Sequence, residues 1–214
     1  MRILFEKVAI LTVVGIALTF TTGEAHSQQA PAPKEKQMAE IKVLQWVREA
    51  PLSDYWRKDV NPNFSYEEWF ARGRQLPGVV DTITELLEKE DLQHPTGDGE
   101  RLAYALGWIG DRRQRVIAAL VRCLGSKNLM LRIEAVAALG RIGDESVEPL
   151  LESLVNDRQQ DTNIRGNACV SLGRLGARSA EPVLEKALKD PDQFVVECAR
   201  EGLKLLRSGP ESSR

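Results

Sequence analysis

"RIEAVAALGRIGDESVEPLLESL" occupies residues 132–154, and thirty-three residues further on the chain reads "RGNACVSLGRLGARSAEPVLEKAL" over 165–188. The two phrases share more than apolar content. Gly140 answers Gly173, Gly143 answers Gly176, and Pro149 answers Pro182. Upstream, "RLAYALGWIGD" sets Leu106-Gly107 in the same register, again thirty-three residues before Leu139-Gly140. Downstream, "VECAREGLKLL" repeats the pattern thirty-one residues after Leu172, with Leu203, but lacks the glycine after that leucine. Three apolar columns result: Leu102, Ala135, Ala168, Ala199; Leu106, Leu139, Leu172, Leu203; and Ile109, Ile142, Leu175, Leu206. Within each copy they stand at 0, +4 and +7, one face of a helix. Chance amphipathic helices would not keep glycines and prolines in common register.

Each copy holds a second helix. Proline is tolerated only in the first turn of a helix, so Pro149 and Pro182 place its start near Val147 and Ala180. Leu150, Leu151, Leu154 and Val155 form its apolar face in one copy; Val183, Leu184, Ala187 and Leu188 form it in the next. Gly143 and Gly176 stand where a left-handed residue closes the preceding helix. Gly140 and Gly173 lie inside that helix, where glycine costs about 1 kcal/mol against alanine, and the spacing predicts a crossing helix pressed close to them. A two-helix unit cannot bury its apolar face alone, so units stack.

These residues resemble the HEAT-like repeat of the phycobilin-lyase type over about Gly99–Leu206, roughly half of the chain. The resemblance implies a right-handed α-solenoid, first helices outside and second helices lining a concave face. The expected fold is therefore all-α, with about four to five two-helix repeats behind an aromatic-rich N-terminal helical cap. "SYEEWFARGRQL" begins with a capping box, Ser65 and Glu68, and "GVVDTITELLEKE" carries Val80, Ile83 and Leu87 where later copies bury theirs. Seven of twelve aromatic residues crowd between Trp46 and Phe70, which reads as a cap sealing the first repeat. Trp46, Trp56, Trp69 and Phe70 are the candidate aromatic patch, with a ligand pocket as the alternative. The polar stripe Glu197, Arg200, Glu201, Lys204 and Arg207 suits a last helix facing water.

The start of the chain reads differently. Arg2 and Lys7 precede thirteen apolar or small residues, Val8 to Phe20, and Ala25 and Ser27 follow. That is the plan of a secretory signal peptide over 1–27. Such a run rises about 20 Å as a helix, short of a hydrocarbon core about 30 Å thick. Export to a periplasm or the medium is expected, with no integral span after cleavage; N-terminal anchoring is the alternative. Residues 28–37 read as a flexible linker, 38–97 as the cap with a degenerate repeat, 98–207 as the repeats and 208–214 as a tail. Cys123, Cys169 and Cys198 read as buried small hydrophobes, with a Cys169–Cys198 bridge as the lesser alternative.

Chemistry is sparse. The iron-binding deoxyhypusine hydroxylases resemble this repeat and use His-Glu pairs at the starts of first helices. Here those places hold Glu100-Arg101, Ile133-Glu134, Gly166-Asn167 and Glu197-Cys198, with no histidine. Asp98, in the loop "LQHPTGDGER", is expected to cap the next helix or turn the loop. No catalytic residue, metal ligand or cofactor is assigned. Charges nearly balance, at 29 basic and 31 acidic residues, which argues against a general nucleic-acid binder. The reading is a non-catalytic protein-protein interaction scaffold; a lyase-type enzyme or chromophore handler is the alternative. On the second helices, Asp81, Glu85, Glu148, Glu152, Glu181 and Glu185 point away from the apolar face, interrupted by Arg115 and Ala119. This candidate acidic ladder would suit a partner segment rich in Lys or Arg.

Overall fold

The structure is a computed structural model that describes residues 33–49 and 64–208. The expected signal peptide, the site of its cleavage, Trp56 and residues 209–214 lie outside the described residues. Those described form helices and no strand: α1 (Pro33–Glu49), α2 (Tyr66–Arg74), α3 (Val79–Lys89), α4 (Gly99–Ile109), α5 (Gln114–Cys123), α6 (Leu129–Ile142), α7 (Glu148–Asn156), α8 (Thr162–Leu175), α9 (Glu181–Ala187) and α10 (Gln193–Ser208). They pack as successive pairs, an α-solenoid in which α4, α6, α8 and α10 stack as first helices and α5, α7 and α9 as second helices. Helix α1 starts within the stretch expected to be linker. Pro33 suits a first turn, and Lys36 and Glu40 reach Glu85 and Lys89 of α3 at 2.5 and 3.1 Å, which holds the early turns down.

The repeated punctuation works as its chemistry demands. Asn128 begins α6 by accepting from the amides of Met130 and Leu131, and Asp161 begins α8 by accepting from that of Asn163. Gly143 and Gly176 end those helices at φ of 69° and 76°, where a side chain would be strained. A short 3-10 turn, Glu145–Val147 or Arg178–Ala180, then runs into Pro149 or Pro182 in the first turn of the second helix. Ser65 caps α2 by accepting from the Glu68 amide.

The first two columns are buried throughout, and the third is buried at Ile142 and Leu206 but half-buried at Ile109 and Leu175. First helices cross backbone to backbone. A Cβ on Gly107 would lie 2.7 Å from Ala138 Cα, and one on Gly140 would lie 2.6 Å from Ser171 Cα. The third crossing corrects the sequence reading, in which the last copy lost its glycine. Gly202, one place before Leu203 rather than after, packs against Gly173, and a Cβ on Gly173 would lie 2.6 Å from Gly202 Cα. Second helices bury less than expected. Leu151, Val155, Leu184 and Ala187 are buried, Leu150, Leu154 and Val183 are half-buried, and Leu188 is exposed. Leu188 follows the end of α9, and no second helix among the described residues packs beyond it.

Candidate interaction surface

The described members of the expected aromatic patch, Trp46, Trp69 and Phe70, form a packed joint. Trp46 on α1 and Trp69 on α2 stack with ring centres 4.4 Å apart and planes 17° from parallel. Each indole N–H donates to the other residue's backbone carbonyl, both at 2.8 Å. Both polar edges are satisfied and both rings are buried, so the pair seals the N-terminal end rather than opening a pocket. Phe70 packs edge-on to Trp69 and reaches Trp108 of α4, whose ring centre is 5.5 Å away. Trp108 was not singled out from the sequence. It is 40% exposed, and the Arg141 guanidinium lies 5.2 Å from its ring centre and from that of Tyr104. Its place was legible: Trp108 stands directly after Gly107, as Arg141 stands after Gly140.

The ladder residues lie on α3, α7 and α9, with none on α5 between them, and most are paired with cations. Asp81 meets Arg113 at 2.7 Å. Glu85 meets Lys36 at 2.5 Å, and the hydrogen bond from that ammonium holds the Glu85 carboxyl below its ordinary range against the opposing effect of burial. Arg115, the apparent interruption, is bound by Glu88 through two hydrogen bonds of 2.9 and 2.6 Å. Glu181 and Glu185 share Arg207 of α10 at 2.8 and 3.4 Å. Only the middle rung differs: Glu148 accepts from the Ser179 hydroxyl at 2.5 Å, and Glu152 has no cation within ion-pair distance among the described residues. The sequence missed these partners because each comes from another helix, 22 to 49 residues away.

The other groups that chemistry would use are committed to structure. Asp98 stands at the start of α4 but its side chain caps nothing. Its carboxylate takes two hydrogen bonds from Arg48 of α1, at 2.8 and 2.5 Å. Asp98 is the N-cap residue of α4, its backbone carbonyl accepting from the Leu102 amide at 3.0 Å, so the expected position holds while the carboxylate serves Arg48 instead of the helix amides. Glu134 is buried, 3.8 Å from Arg141. Burial pushes the Glu100 carboxyl up, partly offset by a hydrogen bond from Asn128. Among the described residues no three His, Cys, Asp or Glu side chains converge as metal ligands, and no helix is long and apolar enough to cross a membrane. All three cysteines are free thiols. Burial raises Cys123 and Cys198 to about 11 and Cys169 to about 12, which makes them poor nucleophiles.

A shallow cavity opens between the C-terminal ends of α7 and α9. At its base Arg165 of α8 donates through Nη2 to Asp190, and through Nε to the Val155 carbonyl at 3.4 Å. Arg158 lies 3.5 Å from the same carboxylate, and Lys186 donates to the Asn156 side-chain carbonyl at 2.9 Å. Burial would raise the Asp190 pKa, but the Asp192 amide and Arg165 outweigh it and hold the carboxyl below its ordinary value.

Comparison with known proteins agrees with this architecture. The complex of CpcE and CpcF of phycocyanin lyase from Nostoc sp. PCC7120 is similar in fold, with a TM-score of 0.52 and 21% identity over 76% of this chain and 70% of that one. Human deoxyhypusine hydroxylase in complex with glycerol aligns at a TM-score of 0.30 and 14% identity, over 83% of this chain and 100% of that one. A designed armadillo repeat protein aligns at 0.35 and 17%, over 83% and 96%. No curated protein matches the chain. The family model for HEAT repeats matches residues 99–163 and again 147–213, more than half of the sequence and the same stretch in which the glycine crossings lie. The chain belongs to the HEAT-repeat family.

Proposed function

We propose that this protein is a non-catalytic scaffold that works outside the cytoplasm and binds a polypeptide along its second helices. The observation that carries the reading is the middle rung of the ladder. Glu148 and Glu152 sit one turn apart on α7, and neither has a cation within ion-pair distance among the described residues. The other ladder carboxylates, on α3 and α9, are neutralised by Lys36, Arg113 and Arg207. A basic side chain from a partner would complete at α7 what the chain completes for itself on either side. The repeat fold supports a binding role, because stacked helix pairs expose a long ridged surface. The similar solved structure is itself a complex of two proteins. Export rests on the apolar run Val8–Phe20 and the small residues Ala25 and Ser27.

The test is capture from the exported fraction with the intact chain, compared with the double variant Glu148→Gln and Glu152→Gln. Loss of a Lys- or Arg-rich partner, mimicked by raised salt, is the expected result. Equal recovery by the variant in both salts would remove the second-helix face from the binding site. A mass beginning at Gln28 is expected for the exported protein; the full-length chain recovered from membranes would mean an anchor. Pigment bound in stoichiometric amount would turn the reading toward a chromophore handler.

A further inference from the structure

The chain carries a net charge of −2, yet the cavity between α7 and α9 has the opposite sign. Arg158, Arg165 and Lys186 face it with Asp190 as the only carboxylate among its lining residues. That carboxylate is already used. Its Oδ1 accepts from the Asp192 amide at 3.0 Å and its Oδ2 accepts from Arg165, whose side chain is 5% exposed. Arg158 is left with a 3.5 Å contact and a side chain 56% exposed. Lys186 has a neutral partner, Asn156, and no carboxylate within 4 Å among the described residues. A cation in the last turn of a helix commonly serves its own end carbonyls. Lys186 instead reaches across to Asn156 on the neighbouring second helix, so its ammonium stands over the cavity.

We propose that this cavity is a carboxylate-binding site. Arg158 and Lys186 supply the charge-assisted hydrogen bonds, and the buried Arg165–Asp190 pair fixes the base beneath them. The space is too small for a helix, whose diameter is about 10 Å, and suits a single head group. The proposal deepens the scaffold reading and rests on it for the source of the carboxylate. Asn156 lies one turn beyond Glu152 on α7, so a partner strand with a basic residue at Glu148 and Glu152 brings an acidic side chain or its own C-terminus to the cavity. The face would thus read charge order along the partner as well as charge sign.

The test uses the full chain and two-dimensional NMR of the Arg side-chain N–H and Lys ammonium signals. Sodium acetate and a short blocked peptide with one Asp are titrated in turn, against sodium chloride at equal ionic strength. Saturable shifts at Arg165 and Lys186 are expected with both probes and not with chloride. The variant Arg158→Ala/Lys186→Ala should weaken them about tenfold or more with an unchanged melting temperature, since both side chains are exposed. Tighter binding of the peptide assigns the carboxylate to a polypeptide; equal binding assigns it to a free anion, and either supports the site. Shifts no larger than those with chloride, or unchanged in the variant, overturn it. The titration needs no partner, so its failure leaves the scaffold reading standing. Saturable acetate binding with no polypeptide captured would instead strike the scaffold reading and spare the site.

Discussion

Replacing Gly173 by alanine sets two effects of opposite sign against each other. In a helix interior, alanine is favoured over glycine by about 1 kcal/mol, so propensity alone predicts a more stable protein. The crossing with α10 predicts the reverse. The new Cβ would lie 2.6 Å from Gly202 Cα and closer still to its carbonyl oxygen, whereas ordinary contacts begin near 3.4 Å. The obstructing atoms are backbone, so no rotamer change relieves them. Helix α10 must move away by about 1 Å, loosening the packing around Leu172 and Leu203. Overpacking of this kind costs about 1–3 kcal/mol, and the backbone origin of the clash places it at the upper end. The expected net is a loss of about 1–2 kcal/mol after the propensity gain, or a melting temperature lower by about 2–8 °C for a domain of this size. Urea unfolding followed by far-ultraviolet circular dichroism measures it. A variant more stable by about 1 kcal/mol would refute the backbone-to-backbone crossing and with it the reason for the repeated glycine.

Three further outcomes follow from the same contacts. Leu139→Ala, at a fully buried site between two neighbouring first helices, should cost about 2–5 kcal/mol; an unchanged urea midpoint would take it out of the core. Trp46→Phe keeps a ring on Trp69 but removes the N–H that serves the Trp69 carbonyl, and should cost about 1–3 kcal/mol, read as a lower thermal midpoint. The thiols titrate in the folded state at about 11 to 12, above their ordinary 9.0, so their contribution to stability is whole below pH 9 and is lost as pH rises toward 12. Native protein should therefore react slowly with iodoacetamide at about pH 8, and urea-unfolded protein fast; equal rates would show that the thiols are not buried.

The parts of the fold that the sequence showed are those that local rules govern. Gly143 and Gly176, Pro149 and Pro182, and the Leu106–Leu203 column each act within one or two turns of themselves, so spacing alone locates them. Gly202 escaped because it stands one place before the column leucine, where the earlier copies carry Ala138 and Ser171, so it answers none of the repeated glycines. The ladder was legible as a set of positions but not as a charge distribution. Arg207 neutralises Glu181 and Glu185, and Lys36 neutralises Glu85, across helix boundaries that no periodicity encodes. Asp98 was legible as the start of α4, but its side-chain partner Arg48 was not, lying fifty residues upstream. The cavity at Arg165 and Asp190 needs three helices to exist at all.

The two layers of the array differ in how they resist deformation. First helices touch through Gly107, Gly140, Gly173 and Gly202, where main chain meets main chain and nothing compliant lies between. Second helices are tied by long side chains with many rotors: Arg113 to Asp81, Arg115 to Glu88, Lys186 to Asn156. A bending force therefore meets a rigid fulcrum on one side and an elastic one on the other. Curvature changes more readily through the second-helix layer than through the first, and ion pairs within that layer, such as Arg115 with Glu88, are weakened by dissolved salt. The array is a leaf spring whose soft side is the side that carries its unpaired charges.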